Sequence, residues 1–350
     1  MKKLFLHIGI GIVIIIALNQ LAIHSARVYK DGASIICEQK REAVRHNRWK
    51  IPDEKPTILF FGASEILSSV VPAVFDSTLN HSVYSLNMAL PALPIGPYYH
   101  YLLDYLEQNA PPDYIVMTYH VDSEPILLFN SYANQGINFP REFVSYFLNR
   151  KDKNQVVNYL LPFHVYRNAI FEFISTSIFN PEDINQTKEN NREIVDRMID
   201  ARGYYFIREQ ARFPEGRLPE DYSKETDCPD CEMVIYDPDG DVFVDKFFKL
   251  TGELDIQVLL IPYPVREGTY KQFDTVPEII RKLENKFSHV SLPKKGWKIP
   301  FYENRYFADP YHLNQEGAEK FSIQTAEHFR EIFYTDFTSE LEDNEKEENE

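Results

Sequence analysis

This sequence is poor in cysteine and lacks a common phosphate-binding motif. It contains only three cysteines, Cys37, Cys228 and Cys231, and no glycine-rich phosphate loop. Cys228 and Cys231 form one C-x-x-C pair, and a zinc site would need two further ligands that no second pair supplies. A structural disulfide or free thiols are therefore the first interpretation, ahead of redox or metal chemistry. We expect neither a metal nor a cofactor.

Basic residues are scarce relative to acidic ones. The chain has 37 Lys and Arg against 53 Asp and Glu, which gives a formal net charge of -16. A surface of this sign repels phosphate backbones, which argues against nucleic acid as the main partner. Part of the charge lies in residues 335–350, whose acidic composition predicts a disordered, solvated tail.

One long apolar run stands at the N-terminus. Lys2 and Lys3 precede Leu4–Leu18, which is near the lower length limit for a membrane-spanning helix. The sequence Ile23–Ala26 is a poor cleavage site, so residues 1–26 favour an uncleaved signal anchor with the rest of the chain on the extracytoplasmic side. A cleaved signal in a secreted protein and a buried first helix of a cytosolic protein are the alternatives.

The remaining chain alternates strands with helices. A juxtamembrane helix and linker are predicted over 27–54, and the α/β pattern then runs over 55–334 with an interruption. The interruption, about 121–254, has a mostly helical sequence pattern, and we interpret it as an insertion. Short buried strands are predicted at 57–61, 82–86, 114–119, 256–261 and 289–292. Such alternation predicts a parallel sheet with helices on both faces.

Two short motifs carry residues with possible chemistry. Ser64 follows the first strand in a Gly-Ala-Ser-Glu sequence, and Asp309 and His312 follow the last strand. Ligands of parallel sheets bind beyond the carboxyl ends of the strands, so both motifs should meet at one edge. A serine hydroxyl becomes a nucleophile when a histidine takes its proton and a carboxylate orients that histidine.

Each of these residues also has a purely structural interpretation. Serine is a common helix N-cap, which suits Ser64 at the start of a helix. Asp309 can be a turn residue before a proline, and His312 can be a surface or helix-start histidine. The joint arrangement favours chemistry over three separate structural roles.

The two motifs resemble conserved blocks of the SGNH (GDSL-like) hydrolase superfamily. Phe61–Ile66 looks like its first block, and Asp309–Phe321 looks like its last, with Asp and His three residues apart. The resemblance covers roughly 55–122 and 254–333 and implies a flavodoxin-like three-layer α/β/α fold. It implies that Ser64 is the nucleophile, His312 the general base and acid, and Asp309 its orienter.

The blocks that supply the oxyanion hole in that superfamily depart from its pattern here. The second strand is followed by Asn87 and Ala89, and the third ends in a Thr-Tyr-His-Val-Asp sequence without a Gly-x-Asn-Asp. We expect the Asn87 side chain or the Ala89 N–H to serve as oxyanion donor, and His120 to contact substrate. Structural turn roles are the alternative for all three.

The architecture also resembles membrane-anchored members of the superfamily that act in teichoic-acid D-alanylation and in envelope polysaccharide O-acetylation. This resemblance implies a serine acyl-esterase or O-acyltransferase that acts on an envelope glycan or a lipid-linked acyl group. It also implies an integral membrane O-acyltransferase as partner. Two alternatives stay open: a catalytically inactive binding or assembly module, and a soluble lipase or esterase with a cleaved signal.

Overall fold

The computed structural model describes most of the chain and two compact units within it. One unit comprises Met1–Gln39 and Glu124–Asp196, and the other comprises Lys40–Ser123 and Arg197–Glu350. The described residues are 2–28, 32–91, 96–118, 171, 174–176, 178–205, 216–225, 227–230, 242–271, 278–294 and 296–334.

The first unit contains helix α1, Lys2–Val28, which begins in the basic N-terminus and continues through the apolar run. Its large apolar side chains from Leu4 to Ile16 are exposed, from 48% for Ile15 to 68% for Phe5. A search of the described residues finds no helix with both the length and the apolarity needed to cross a membrane. Residues of both units occur in α2, Gly32–Arg45, and in α6, Pro181–Asp200.

The second unit is built on a five-stranded parallel sheet. In chain order its strands are β1 Thr57–Phe61, β2 Tyr84–Asn87, β3 Tyr114–Thr118, β4 Gln257–Ile261 and β6 Val290–Ser291. Their spatial order is β2-β1-β3-β4-β6, and every neighbouring pair is parallel. β1 therefore lies inside the sheet, and the predicted α/β class with a parallel sheet is confirmed.

The inner strand β1 is buried on both faces, as its sequence requires. All five residues of β1 are buried, and successive side chains of a strand point to opposite faces. Phe60 meets Phe75 edge-on, with ring centroids 4.8 Å apart, and Phe61 meets Phe247 at 5.8 Å on the other side. Burial of one such ring stabilises the fold by about 1.5–3 kcal/mol, so two adjacent aromatics attach β1 to both helical layers.

Two helix pairs form those layers. On one face α4, Pro72–Thr78, packs against α9, Gln315–Phe333; on the other α5, Gly96–Leu106, packs against α7, Val242–Glu253. α7 also contacts β4, so this helix belongs to the layer of the sheet although it falls within the predicted insertion. α8, Glu278–Lys286, contacts the edge strand β6.

Two local features are not evident from the sequence. The segment after Ser64 forms two helices, α3, Ser64–Leu67, and α4, because Pro72 occupies the first turn of a new helix. A second sheet pairs β5, Val265–Arg266, with β7, Phe301–Tyr302. Both strands have two residues, too few to show a periodicity in sequence.

Several predicted features lie outside the described residues. They are His120, much of the predicted insertion at 121–254, and the acidic tail at 335–350.

Candidate active site

Ser64 lies just beyond the carboxyl end of β1, as the first residue of α3. Ala63 is the extended N-cap residue of this short helix, and its carbonyl accepts the N–H groups of Ile66 at 3.1 Å and Leu67 at 3.0 Å. Gly62 is required for this turn. A Cβ there would stand 2.5 Å from the Ile66 side chain and 2.9 Å from Thr118 Oγ1, closer than real Cβ atoms approach.

Among the described residues, the Ser64 hydroxyl has one side-chain hydrogen-bond contact. Its Oγ lies 3.5 Å from Glu65 Oε2, which is a long contact, and both side chains are half-buried. The backbone carbonyl of Ser64 accepts the Ser68 Oγ–H at 3.0 Å. The hydroxyl is therefore only loosely held, while the backbone that carries it is fixed.

Asp309 and His312 form the tip of a closed turn. The Ala308 N–H donates to the His312 carbonyl at 2.8 Å, and Phe307 and Leu313 pair across the base of the turn. The Asp309 Oδ1 atom accepts the backbone N–H groups of Tyr311 at 2.8 Å and His312 at 2.9 Å. The spacing of three residues thus lets the aspartate organise the turn that presents the histidine.

The two side chains of this turn make a direct hydrogen bond. His312 Nδ1 lies 2.7 Å from Asp309 Oδ2, so the ring donates its Nδ1–H to the carboxylate. The other ring nitrogen, Nε2, is buried and has no hydrogen-bond partner among the residues that the structure describes. In the neutral ring this leaves Nε2 as a proton acceptor, which is the form a general base needs.

The charges around the turn favour an ionised pair. Burial acts to lower the pKa of His312, but the hydrogen bond and charge of Asp309, and then the charge of Glu65, outweigh it and raise that pKa above its usual value. Burial acts to raise the pKa of Asp309, but the bond to His312 and two backbone N–H groups hold it below its usual value. Glu65, the residue after Ser64, is thus close enough to His312 for its charge to act on the ring.

The two motifs are also joined through α9. Ser322 of this helix donates to the Ser69 carbonyl at 3.3 Å, and its Oγ accepts the Val71 N–H at 2.8 Å. At the start of the helix, Asn314 is the N-cap and accepts the Gly317 N–H at 3.1 Å. The helix that follows His312 therefore binds the segment that follows Ser64.

Asn87 and Ala89 do not occupy oxyanion positions in this structure. Asn87 is fully buried, and its Nδ2 donates to the carbonyls of Ile66 at 3.0 Å, Leu67 at 3.3 Å and Val70 at 2.9 Å. The Ala89 N–H donates to Asn87 Oδ1 at 3.1 Å. The Asn87 amide thus holds the end of α3 and the Ala89 N–H holds the Asn87 side chain, so both predicted oxyanion donors are engaged within the protein.

A buried lysine, which no sequence motif indicates, completes this support. Lys40 is fully buried in α2 and donates to the carbonyls of Asn87 at 2.6 Å and Ala89 at 2.7 Å. The sequence likewise gives no sign that Glu65, inside the first motif, acts on His312. In both cases the partner is distant in sequence, so only the folded chain reveals the contact.

Within the described part of the chain, no group of three or more His, Cys, Asp or Glu is arranged to hold a metal ion. Cys228 is disulfide-bonded, and its backbone N–H donates to the Thr269 carbonyl at 3.1 Å. This cysteine therefore has a structural role.

The similarity of this chain to known proteins is limited. No protein-family model matches it, and no curated protein matches it in sequence. Any function assigned to the site thus rests on its own residues.

Proposed function

We propose that the protein is a serine acyl-esterase or O-acyltransferase in which Ser64, His312 and Asp309 form the catalytic triad. The observation that carries the proposal is the His312–Asp309 pair. One ring nitrogen is bound to the carboxylate at 2.7 Å, and the other is buried without a partner beside the Ser64 turn. A proton acceptor held in one orientation next to a loosely bound hydroxyl is the arrangement that nucleophilic acyl transfer needs.

The reaction proceeds through an acyl-enzyme. His312 Nε2 takes the proton of the Ser64 hydroxyl as its oxygen attacks the acyl carbonyl, and Asp309 stabilises the imidazolium that forms. Collapse of the tetrahedral intermediate expels the alcohol, which takes the proton from His312. Water or a glycan hydroxyl then attacks the acyl-serine, gives its proton to His312, and Ser64 is released with that proton.

The oxyanion that forms in both steps needs hydrogen-bond donors. Asn87 and Ala89 are engaged elsewhere, so the backbone N–H groups at the start of α3 are the donors closest to Ser64. The first N–H groups of a helix have no partner within it. Each missing donor lowers the rate by about 100-fold, so we expect a slow enzyme or one completed by its substrate or partner.

Turnover of a simple ester tests this proposal. Ser64→Ala should abolish hydrolysis of an aryl acetate, with a loss of at least about 10³-fold, while the melting temperature stays within a few degrees. Ser77→Ala is the matched control, since this exposed serine on α4 only donates to the Val74 carbonyl. Equal activity in wild type and Ser64→Ala would reject the proposed nucleophile.

A second candidate function is a non-catalytic scaffold that binds a glycan or a partner protein. The observation that favours it is the engagement of the Asn87 and Ala89 donors, together with the absence of a hydrogen bond between His312 Nε2 and Ser64. On this alternative, a folded protein would turn over no ester under any condition.

The fold is proposed to be that of the SGNH superfamily. The strand order β2-β1-β3-β4-β6 is the order of flavodoxin-like sheets, in which the carboxyl ends of the strands carry the ligand site. Ser64 after β1 and the His312 turn before the last helix suit that superfamily.

Attachment to a membrane is part of the proposal. The large apolar side chains of α1 are exposed and follow two lysines. Water solvates such a surface poorly, so we propose that a membrane covers it. A membrane-anchored enzyme on the extracytoplasmic side would receive its acyl group from an integral membrane O-acyltransferase. The full chain should remain in membranes through alkaline carbonate extraction, and a chain without residues 1–28 should not.

A further inference from the structure

An exposed aromatic ring lies beside the proposed general base. Tyr311 stands between Asp309 and His312 in the turn, and 58% of its surface is exposed. Its ring lies 6.4 Å from the imidazole of His312, nearly perpendicular to it. Asp309 accepts the backbone N–H of Tyr311, so the backbone that carries the ring is fixed in position. An exposed aromatic ring beside the proposed base is in a position to contact substrate.

A lysine from another segment covers this ring. The Lys224 ammonium lies 4.1 Å from the centre of the Tyr311 ring and donates a hydrogen bond to its hydroxyl. Because the tyrosine oxygen accepts from Lys224, its own proton is left to point toward a ligand. The pair therefore presents two donors, one of them charged, next to His312.

The segment that carries Lys224 is firmly held. Asp227 accepts the Lys224 backbone N–H at 2.6 Å, and both of its carboxylate oxygens lie 2.6 Å from Arg266, which is buried. Cys228, the next residue, is disulfide-bonded. Nearby, the Leu218 N–H donates to the Phe307 carbonyl at 2.9 Å, which joins this segment to the base of the His312 turn. The ammonium is thus placed by a rigid loop.

The Lys224 ammonium makes no direct ion pair with a carboxylate in the described part of the chain. Its charge acts on the nearby Asp227 carboxylate, but the side-chain hydrogen bonds to that carboxylate come from Arg266. The Asp309 carboxylate is bound by His312. A half-buried cation without a direct ion pair, beside the proposed reacting edge, has the charge and the donors to bind an anion.

We propose that Lys224 and Tyr311 form a subsite that binds an anionic group of the substrate, a carboxylate or a phosphate, next to the ester on which Ser64 acts. This assignment rests on the proposed function and specifies its substrate class. The acyl donor or acceptor is a molecule, such as an acidic glycan unit, whose negative charge lies close to the acylated oxygen.

Three matched aryl acetates test the subsite with the full chain. Methyl 4-acetoxybenzoate is neutral, 4-acetoxybenzoate carries a carboxylate, and 4-acetoxyphenyl phosphate carries a phosphate. Lys224→Met keeps the aliphatic stem and should lower kcat/KM for the anionic esters about tenfold, mainly through KM, while the neutral ester is unchanged. Lys282→Met, at an exposed lysine of α8, is the matched control and should change none of the three.

The outcomes separate the subsite from the proposed function. If the neutral ester is hydrolysed and Lys224→Met has no selective effect, the subsite is rejected and the triad stands. A preference for the carboxylate or for the phosphate ester, lost in Lys224→Met, supports the subsite and identifies the anion.

Binding decides the case in which no ester is hydrolysed, an outcome that counts against the proposed function. Saturation-transfer NMR would then be recorded with benzoate and with phenyl phosphate. A signal in wild type and Lys282→Met that is lost in Lys224→Met supports the subsite. An equal or absent signal in all three proteins overturns it.

Discussion

The two halves of the candidate site differ in how completely they are assembled. The His312 half is closed: Asp309 accepts three hydrogen bonds within one turn, from the ring and from two backbone N–H groups. The Ser64 half is open: its hydroxyl makes a single long contact with Glu65 and none with His312. The proposed base is thus already oriented, whereas the proposed nucleophile is not hydrogen-bonded to it.

The difference follows from sequence separation. Asp309 and His312 are three residues apart, so one turn brings them together at little entropic cost. Ser64 reaches them only through the sheet and through Ser322 of α9, which binds the segment after α3. Two side chains in one turn are fixed by that turn, whereas two side chains from distant segments keep more conformational freedom. Rotation of the Ser64 side chain from Glu65 to His312 is the movement that would complete the triad.

The largest expected effect comes from breaking the assembled half. Asp309→Asn should lower kcat by about 10⁴-fold, because an amide no longer holds the Nδ1–H tautomer or stabilises the imidazolium. Ester hydrolysis across pH measures this, with the melting temperature as the fold control. A loss of less than threefold would show that the pair is structural.

A middle-sized effect is expected at the support of the open half. Asn87→Ala removes the donor to the carbonyls of Ile66, Leu67 and Val70, and should reduce the free energy of unfolding by about 1–3 kcal/mol. Denaturant unfolding measures the change. If stability were unchanged while kcat fell about 100-fold, Asn87 would instead be the oxyanion donor.

The smallest effect is expected at Glu65. Its negative charge contributes to the raised pKa of His312, after burial and the stronger action of Asp309. The base must be neutral, so the rate should rise with pH through that pKa. Glu65→Gln should lower the pKa and move the acid limb of the kcat/KM profile to lower pH. If the acid limb stays in place or moves to higher pH, the charge of Glu65 does not raise the pKa of His312.

Parts of this architecture could be predicted because they depend on local pattern. β1 occupies the predicted residues because Thr57–Phe61 is rich in β-branched and aromatic residues. The pattern after the second motif suits α9, since Asn314 caps the helix and its buried residues recur at helical spacing. Both motifs were found because each is contiguous.

Other parts could not be predicted because tertiary contacts decide them. An asparagine at the end of β2 suits an oxyanion donor in sequence, but in the fold its amide meets the end of α3. The division of the helix after Ser64 depends on that same contact and on Pro72. Glu65 and Lys224 act on residues that are more than 80 positions away in the chain.

The most direct test of the triad is labelling of the full chain with a fluorophosphonate, followed by peptide mapping. The arrangement of His312 and Ser64 predicts that the label is found on Ser64 and is lost in His312→Ala, while Ser77→Ala labels like wild type. A folded, ester-hydrolysing protein without label on Ser64, or equal labelling of Ser64 in His312→Ala, would contradict an activated serine at this site.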